Sequence, residues 1–174
     1  MKSFKKFKTE FINTLNLISE YKFYDCIKML KDLRKKGGRL FIIGVGGSAA
    51  NASHAVNDFR KICNIEAYCP SDNVSELTAR TNDDGFEYIF EDWFKTSKVN
   101  KKDLILIFSV GGGNLKKKVS VNIINALKYA NKNKTKSICF VGKKDGYAFK
   151  NSSLSLCFNV NNKKLLTPIS EAMQ

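Results

Sequence analysis

Two stretches of this chain share one design. An apolar run ends in glycines and continues into a helix-like segment. The first is Leu40-Phe-Ile-Ile-Gly-Val-Gly-Gly-Ser48 and the second is Leu104-Ile-Leu-Ile-Phe-Ser-Val-Gly-Gly-Gly-Asn114. Runs that stay apolar at successive positions suit strands buried on both faces, as in parallel sheets. A glycine loop between such a strand and a helix leaves backbone N–H groups unpaired and lets an anion approach closely. Two such loops in 174 residues predict a phosphorylated ligand held at the carboxyl ends of parallel strands.

The rest of the chain alternates in the same way. Phe4, Phe7, Phe11, Leu15 and Ile18 recur at helical spacing and predict a helix over 3–20. Tyr24, Ile27, Leu30 and Leu33 predict a second over 23–36, ended by Gly37-Gly38. Strands are expected at 39–43, 65–69, 104–108, 137–141 and 154–160, with helices over 48–62, to Thr81, over 86–94 and over 115–131. Strand–helix alternation means α/β: a doubly wound, mostly parallel sheet flanked by helices, with an N-terminal helical hairpin. Thr167-Pro168 reads as the N-cap and first residue of a last helix. Only six residues follow Pro168, so that helix is expected to be cut short.

Composition narrows the function. The formal net charge is +14, which raises nucleic acid as a partner. Only four of the 30 basic residues are arginine (Arg34, Arg39, Arg60 and Arg80), and the bidentate guanidinium is what base readers use. The lysines are therefore read as solvated surface and nucleic acid is not expected. No apolar run reaches the ~18 residues a membrane-spanning helix needs. The basic start Met1–Lys8 has no apolar stretch behind it and is not a secretory signal, so the expected location is the cytoplasm. Cys26, Cys63, Cys69, Cys139 and Cys157 form no CxxC pair and read as free thiols. The single Trp93 reads as packing.

Few residues carry chemistry. His54, the only histidine, and Asp58 lie four apart, on one face of the helix after the first loop. They read as two metal ligands, as neighbouring polar groups in a cleft, or as a surface histidine beside a carboxylate. Ser48, Ser109 and Asn114 sit where a side chain adds to an anion site or caps a helix, and both readings draw on the same unpaired donors. Asn82-Asp83 reads locally as a turn. Neither loop ends in Gly-Lys-Ser/Thr and the first lacks the third glycine of a dinucleotide fingerprint, so no nucleotide cofactor is expected.

Gly44-Val-Gly-Gly-Ser-Ala-Ala-Asn-Ala-Ser-His54, then Asp58, then Thr81-Asn-Asp-Asp-Gly-Phe86 and Phe90 resemble the sugar isomerase (SIS) domain of phosphoheptose isomerases. The resemblance covers the whole chain, residues 1–174, as one SIS domain with N-terminal helices 3–36 and an α/β core from 39. It implies a five-stranded parallel sheet, a homotetramer with sites at subunit interfaces, and zinc in some members. It implies the conversion of sedoheptulose 7-phosphate to a heptose 7-phosphate for lipopolysaccharide or capsule. Carried over, Val45, Gly46, Gly47 and Ser48 contact substrate, as do Asn82 and Asp83. Ser109, Val110, Gly111 and Asn114 hold the phosphate. Asp58 is the carboxylate base, with His54 beside it. His54, Asp58 and Glu171 fall on metal-ligand positions, and Glu171 also on a substrate position.

The chain departs from that pattern. The phosphate loop usually reads Ser-Thr-Ser-Gly-x-Ser, and 109–114 lacks three of its hydroxyls. Val45 replaces an asparagine, and Asp58 replaces a glutamate one methylene longer. Glu171 stands for a glutamine, and the histidine expected some eight residues later lies past Gln174. These departures set an alternative beside the enzyme: a non-catalytic SIS protein that binds a phosphosugar or a protein partner, as a relative that associates with the DnaA replication initiator does.

Overall fold

The computed structural model describes residues 2–174. Five parallel strands, β1 (Leu40–Ile43), β2 (Ala67–Tyr68), β3 (Leu104–Ser109), β4 (Lys136–Val141) and β5 (Leu154–Cys157), form one sheet in the order β2-β1-β3-β4-β5. β1 and β3 pair in register from Leu40↔Leu104 to Ile43↔Ile107. Every residue of both is buried, as their unbroken apolar runs require.

Alternate strand residues feed two cores. Phe41, Ile43, Ile105 and Ile107 face α5 (Ile89–Thr96), α6 (Val121–Lys132) and α7 (Tyr147–Asn151), through Phe90, Phe94, Ile123, Leu127 and Ala148. Leu40, Ile42, Leu104 and Leu106 face α2 (Glu20–Lys35) and α3 (Gly47–Lys61), through Cys26, Leu33, Ala52 and Val56. Trp93 packs edge-on against Phe41, ring centroids 5.5 Å apart. All five cysteines are free thiols.

Arg39 and Asp103 lock the amino ends of the two central strands. The guanidinium donates to Asp103 Oδ1 at 3.0 Å and Oδ2 at 2.8 Å, and the Asp103 side chain is only 3% exposed. Asp103 also accepts from the backbone N–H groups of Arg39 and Asn100.

Several expected boundaries move. α1 (Lys2–Asn16) ends before residue 20, because Leu17 and Ile18 close a turn onto Thr14 and Leu15 and Ser19 caps α2 by accepting from Lys22 N–H. α4 (Val74–Asp83) runs two residues past Thr81, so Asn82 and Asp83 are its last turn rather than a loop. The expected strand 154–160 is regular only to Cys157, beyond which Phe158 and Val160 N–H still donate to the Val141 and Gly142 carbonyls. α8 (Leu166–Met173) begins ahead of Thr167, with Leu165 at its N-cap.

The largest shift is at α6. It starts at Val121 rather than 115, because Asn114 and Val119 exchange two backbone hydrogen bonds, at 2.9 and 3.1 Å, and fold 114–119 into a tight hairpin. Lys118 and Ser120 take left-handed φ values of 52° and 48°, which no helix tolerates. Among the described residues no helix is long and apolar enough to cross a membrane.

Candidate functional site at the carboxyl ends of the central strands

The strand order sets the site. From β1 the chain crosses through α3 to β2 at one edge, and from β3 it crosses through α6 to β4 on the opposite side. The loops after the two strands therefore part, and a crevice opens between them. A cavity of about 590 Å³ lies there, bounded by Val45, by Phe86–Tyr88 ahead of α5, and by the hairpin and first turn of α6. That size suits a small metabolite. The Asn125 amide donates to the Glu87 carbonyl at 3.0 Å and ties α6 to the 86–88 wall.

The first loop turns at Gly46, whose φ of 65° sets it as the N-cap of α3 without a capping side chain. α8 closes over this turn. The Glu171 carboxylate lies against the Gly47 Cα, the Glu171 carbonyl accepts from the Asn51 amide at 2.8 Å, and the buried Ser48 hydroxyl donates to Gln174 Oε1 at 2.8 Å. The structure thus gathers Gly47, Ser48 and Glu171, three of the expected site residues. Gln174, which no sequence reasoning singled out, joins them.

The second loop is occupied with itself. Ser109 Oγ accepts from Gly112 N–H at 3.0 Å, the Val110 carbonyl accepts from Gly142 N–H at 3.0 Å, and Asn114 Oδ1 accepts from Lys117 N–H at 3.0 Å. Gly111 is exposed. The Ser109 and Asn114 contacts close turns within the loop, and neither caps a helix, since α6 begins only at Val121.

His54 and Asp58 do pair across one turn of α3, Nε2 to Oδ2 at 3.4 Å, with side chains 76% and 47% exposed. They line a separate groove of about 320 Å³ with Asn51, Phe59, Cys63 and Gln174. That groove shares no lining residue with the larger cavity. Asn82 and Asp83 bond to each other at 2.8 Å on the exposed end of α4 and line neither space.

Zinc finds no complete donor set within one protomer. Among the described residues no group of three histidine, cysteine or acidic side chains comes together. His54 and Asp58 supply two donors, and Glu171 is turned to Gly47.

The cavity lining holds residues that the sequence reading passed over: Lys118, Ser120, Asn122 and Asn125. The available signal was Ser120-Val-Asn122 just ahead of the periodic run Ile123, Ile124 and Leu127, an N-terminus signature.

A doubly wound sheet with its loops gathered at the β1–β3 seam is the architecture of SIS domains. The chain superposes on the phosphoheptose isomerase of Francisella tularensis with a TM-score of 0.81 at 22% identity, covering 98% of this chain and 88% of that one. It is 30% identical over 134 residues to the phosphoheptose isomerase of Campylobacter concisus, 74% of this chain and 67% of that protein. It is 32% identical over 106 residues to the lincomycin biosynthesis protein LmbN of Streptomyces lincolnensis, 55% of this chain and 37% of that one. The chain therefore spans about two thirds or less of these curated relatives. No protein-family model matches it. The chain belongs to the phosphoheptose isomerase family of SIS-domain proteins.

Proposed function

We propose that the protein is a phosphosugar ketose–aldose isomerase whose substrate is sedoheptulose 7-phosphate, feeding the heptose of a surface polysaccharide. The observation that carries this reading is the 590 Å³ cavity at the β1–β3 seam, in a chain of this family. In the reaction a proton leaves the hydroxymethyl carbon beside the ketone and returns to the former carbonyl carbon, while a second proton moves between the two oxygens. A carboxylate suits the first transfer and an imidazole the second. Asp58 and His54 are the pair available, already within one turn of each other. Unpaired N–H groups at the start of α3 suit the enediolate oxygen.

Exposed Phe4, Leu15, Leu17, Tyr21 and Tyr24 support assembly, with the homotetramer of the family as the expected form. Light scattering on the purified protein tests that.

One observation favours the second reading, binding without conversion: the groove of His54 and Asp58 and the 590 Å³ cavity are separate within a protomer. Incubation with sedoheptulose 7-phosphate, with and without added zinc, separates the two. Appearance of the aldose phosphate supports the enzyme. Saturable binding with no product supports the binder.

A further inference from the structure

The seam cavity contains one polar group that the fold leaves unsatisfied. Asn122, the second residue of α6, is 1% exposed and lines the cavity. Its Oδ1 accepts from Ile123 N–H at 2.8 Å, which fixes the orientation of the amide. Its Nδ2 has no partner. A buried amide donor left unpaired is destabilising, so its persistence at a cavity wall points to a ligand acceptor.

Three further observations converge on the same spot. The backbone N–H groups of Val121 and Asn122, the first two of α6, have no acceptor among the described residues. Lys118 lines the cavity from the hairpin. Lys118 and Ser120 are both held at left-handed φ, a strained arrangement typical of ligand clamps. The one acidic residue on the lining, Glu87, turns its carboxylate toward Gly85. The second glycine loop, by contrast, spends its side-chain acceptors on its own backbone.

We propose that a phosphate monoester binds at the start of α6, with Lys118 Nζ and Asn122 Nδ2 as its side-chain donors, in place of the hydroxyls missing from 109–114. The apolar part of the cavity, Val45, Phe86 and Val121, then faces the carbon skeleton of the ligand. The proposal rests on the phosphosugar reading for its ligand class and adds which residues hold the anion.

Calorimetric titration tests it, with inorganic phosphate and with sedoheptulose 7-phosphate as probes. Lys118→Ala removes the cation from an exposed hairpin. Asn122→Asp keeps the acceptor for Ile123 N–H and replaces the donor with a repelling charge. Each variant is expected to weaken both probes at least about tenfold, in line with loss of a charge-assisted hydrogen bond. Lys116→Ala, on the same hairpin but off the lining, is expected to stay within about twofold of the parent.

Parental affinity in folded Lys118→Ala overturns the proposal, and that variant decides the matter even where Asn122→Asp fails to fold. A parent protein that converts the sugar while both variants keep its affinity leaves the isomerase standing and removes this anion site. A parent that binds inorganic phosphate through these two residues and neither binds nor converts the sugar does the reverse. A parent that binds neither probe overturns the site.

Discussion

The carboxylate of Glu171 fills the space that a side chain at position 47 would occupy. A Cβ built on Gly47 would meet Glu171 Oε2 at 2.6 Å. The last helix is thereby seated on the first glycine loop, and the two cannot be varied independently.

Gly47→Ala tests this seating. The obstructing group is the end of a flexible side chain, so the fold should survive with a loss below about 1 kcal/mol. The carboxylate must leave the loop, however, and if the first loop holds the substrate as proposed, such a displacement costs roughly tenfold or more in rate. A thermal melt close to the parent's, with clearly slower isomerisation, is the expected pair of results.

His54→Ala and Asp58→Asn separate chemistry from structure. Both side chains are well exposed, so each change should move stability by less than about 0.5 kcal/mol. If they are the proton-transfer pair, turnover should fall on the order of a hundredfold or more. Urea melts and initial rates on the same preparations read both quantities.

The sheet itself shows how much was legible beforehand. β1 and β3 announce themselves because strands buried on both faces leave no polar position to confuse the period. The start of α6 was misplaced because Leu115 and Lys116–Lys118 are good helix formers, and propensity is a weak prior against the backbone pairing of Asn114 with Val119. α7, five residues long, is too short to show a period. The first loop and its His54–Asp58 pair could be read from spacing alone. Lys118 could not, since a left-handed turn rather than any periodicity delivers it to the cavity.

Arg39→Met should be among the most damaging single changes away from the site. It would strand Asp103 in the interior without its guanidinium, and removing one partner of a buried pair costs about 3–5 kcal/mol. The midpoint of a urea melt should drop accordingly, and Arg39→Lys should recover only part of it, because the two-oxygen contact needs the planar fork.

Alkaline pH should weaken the fold. Burial pushes the Cys26 thiol up from 9.0 to about 11 and moves Cys69, Cys139 and Cys157 in the same direction. The unfolded chain then releases these protons first, so the stability is fully present below pH 9 and drains away as pH rises toward 11. For Cys26 the amount is on the order of 2 kcal/mol. Melts at pH 8 and pH 10.5 measure the slope, and Cys26→Ala should flatten it.

The strand order β2-β1-β3-β4-β5 has a consequence beyond architecture. The crevice exists because the chain departs from two neighbouring strands toward opposite edges, and no side chain is needed to open it. Its furnishing is free to change while its address stays fixed. A hydroxyl can be given up on one wall and a lysine gained on another without any strand changing its neighbour. In this chain the route of the backbone is inherited, and ligand choice is a tenancy within it.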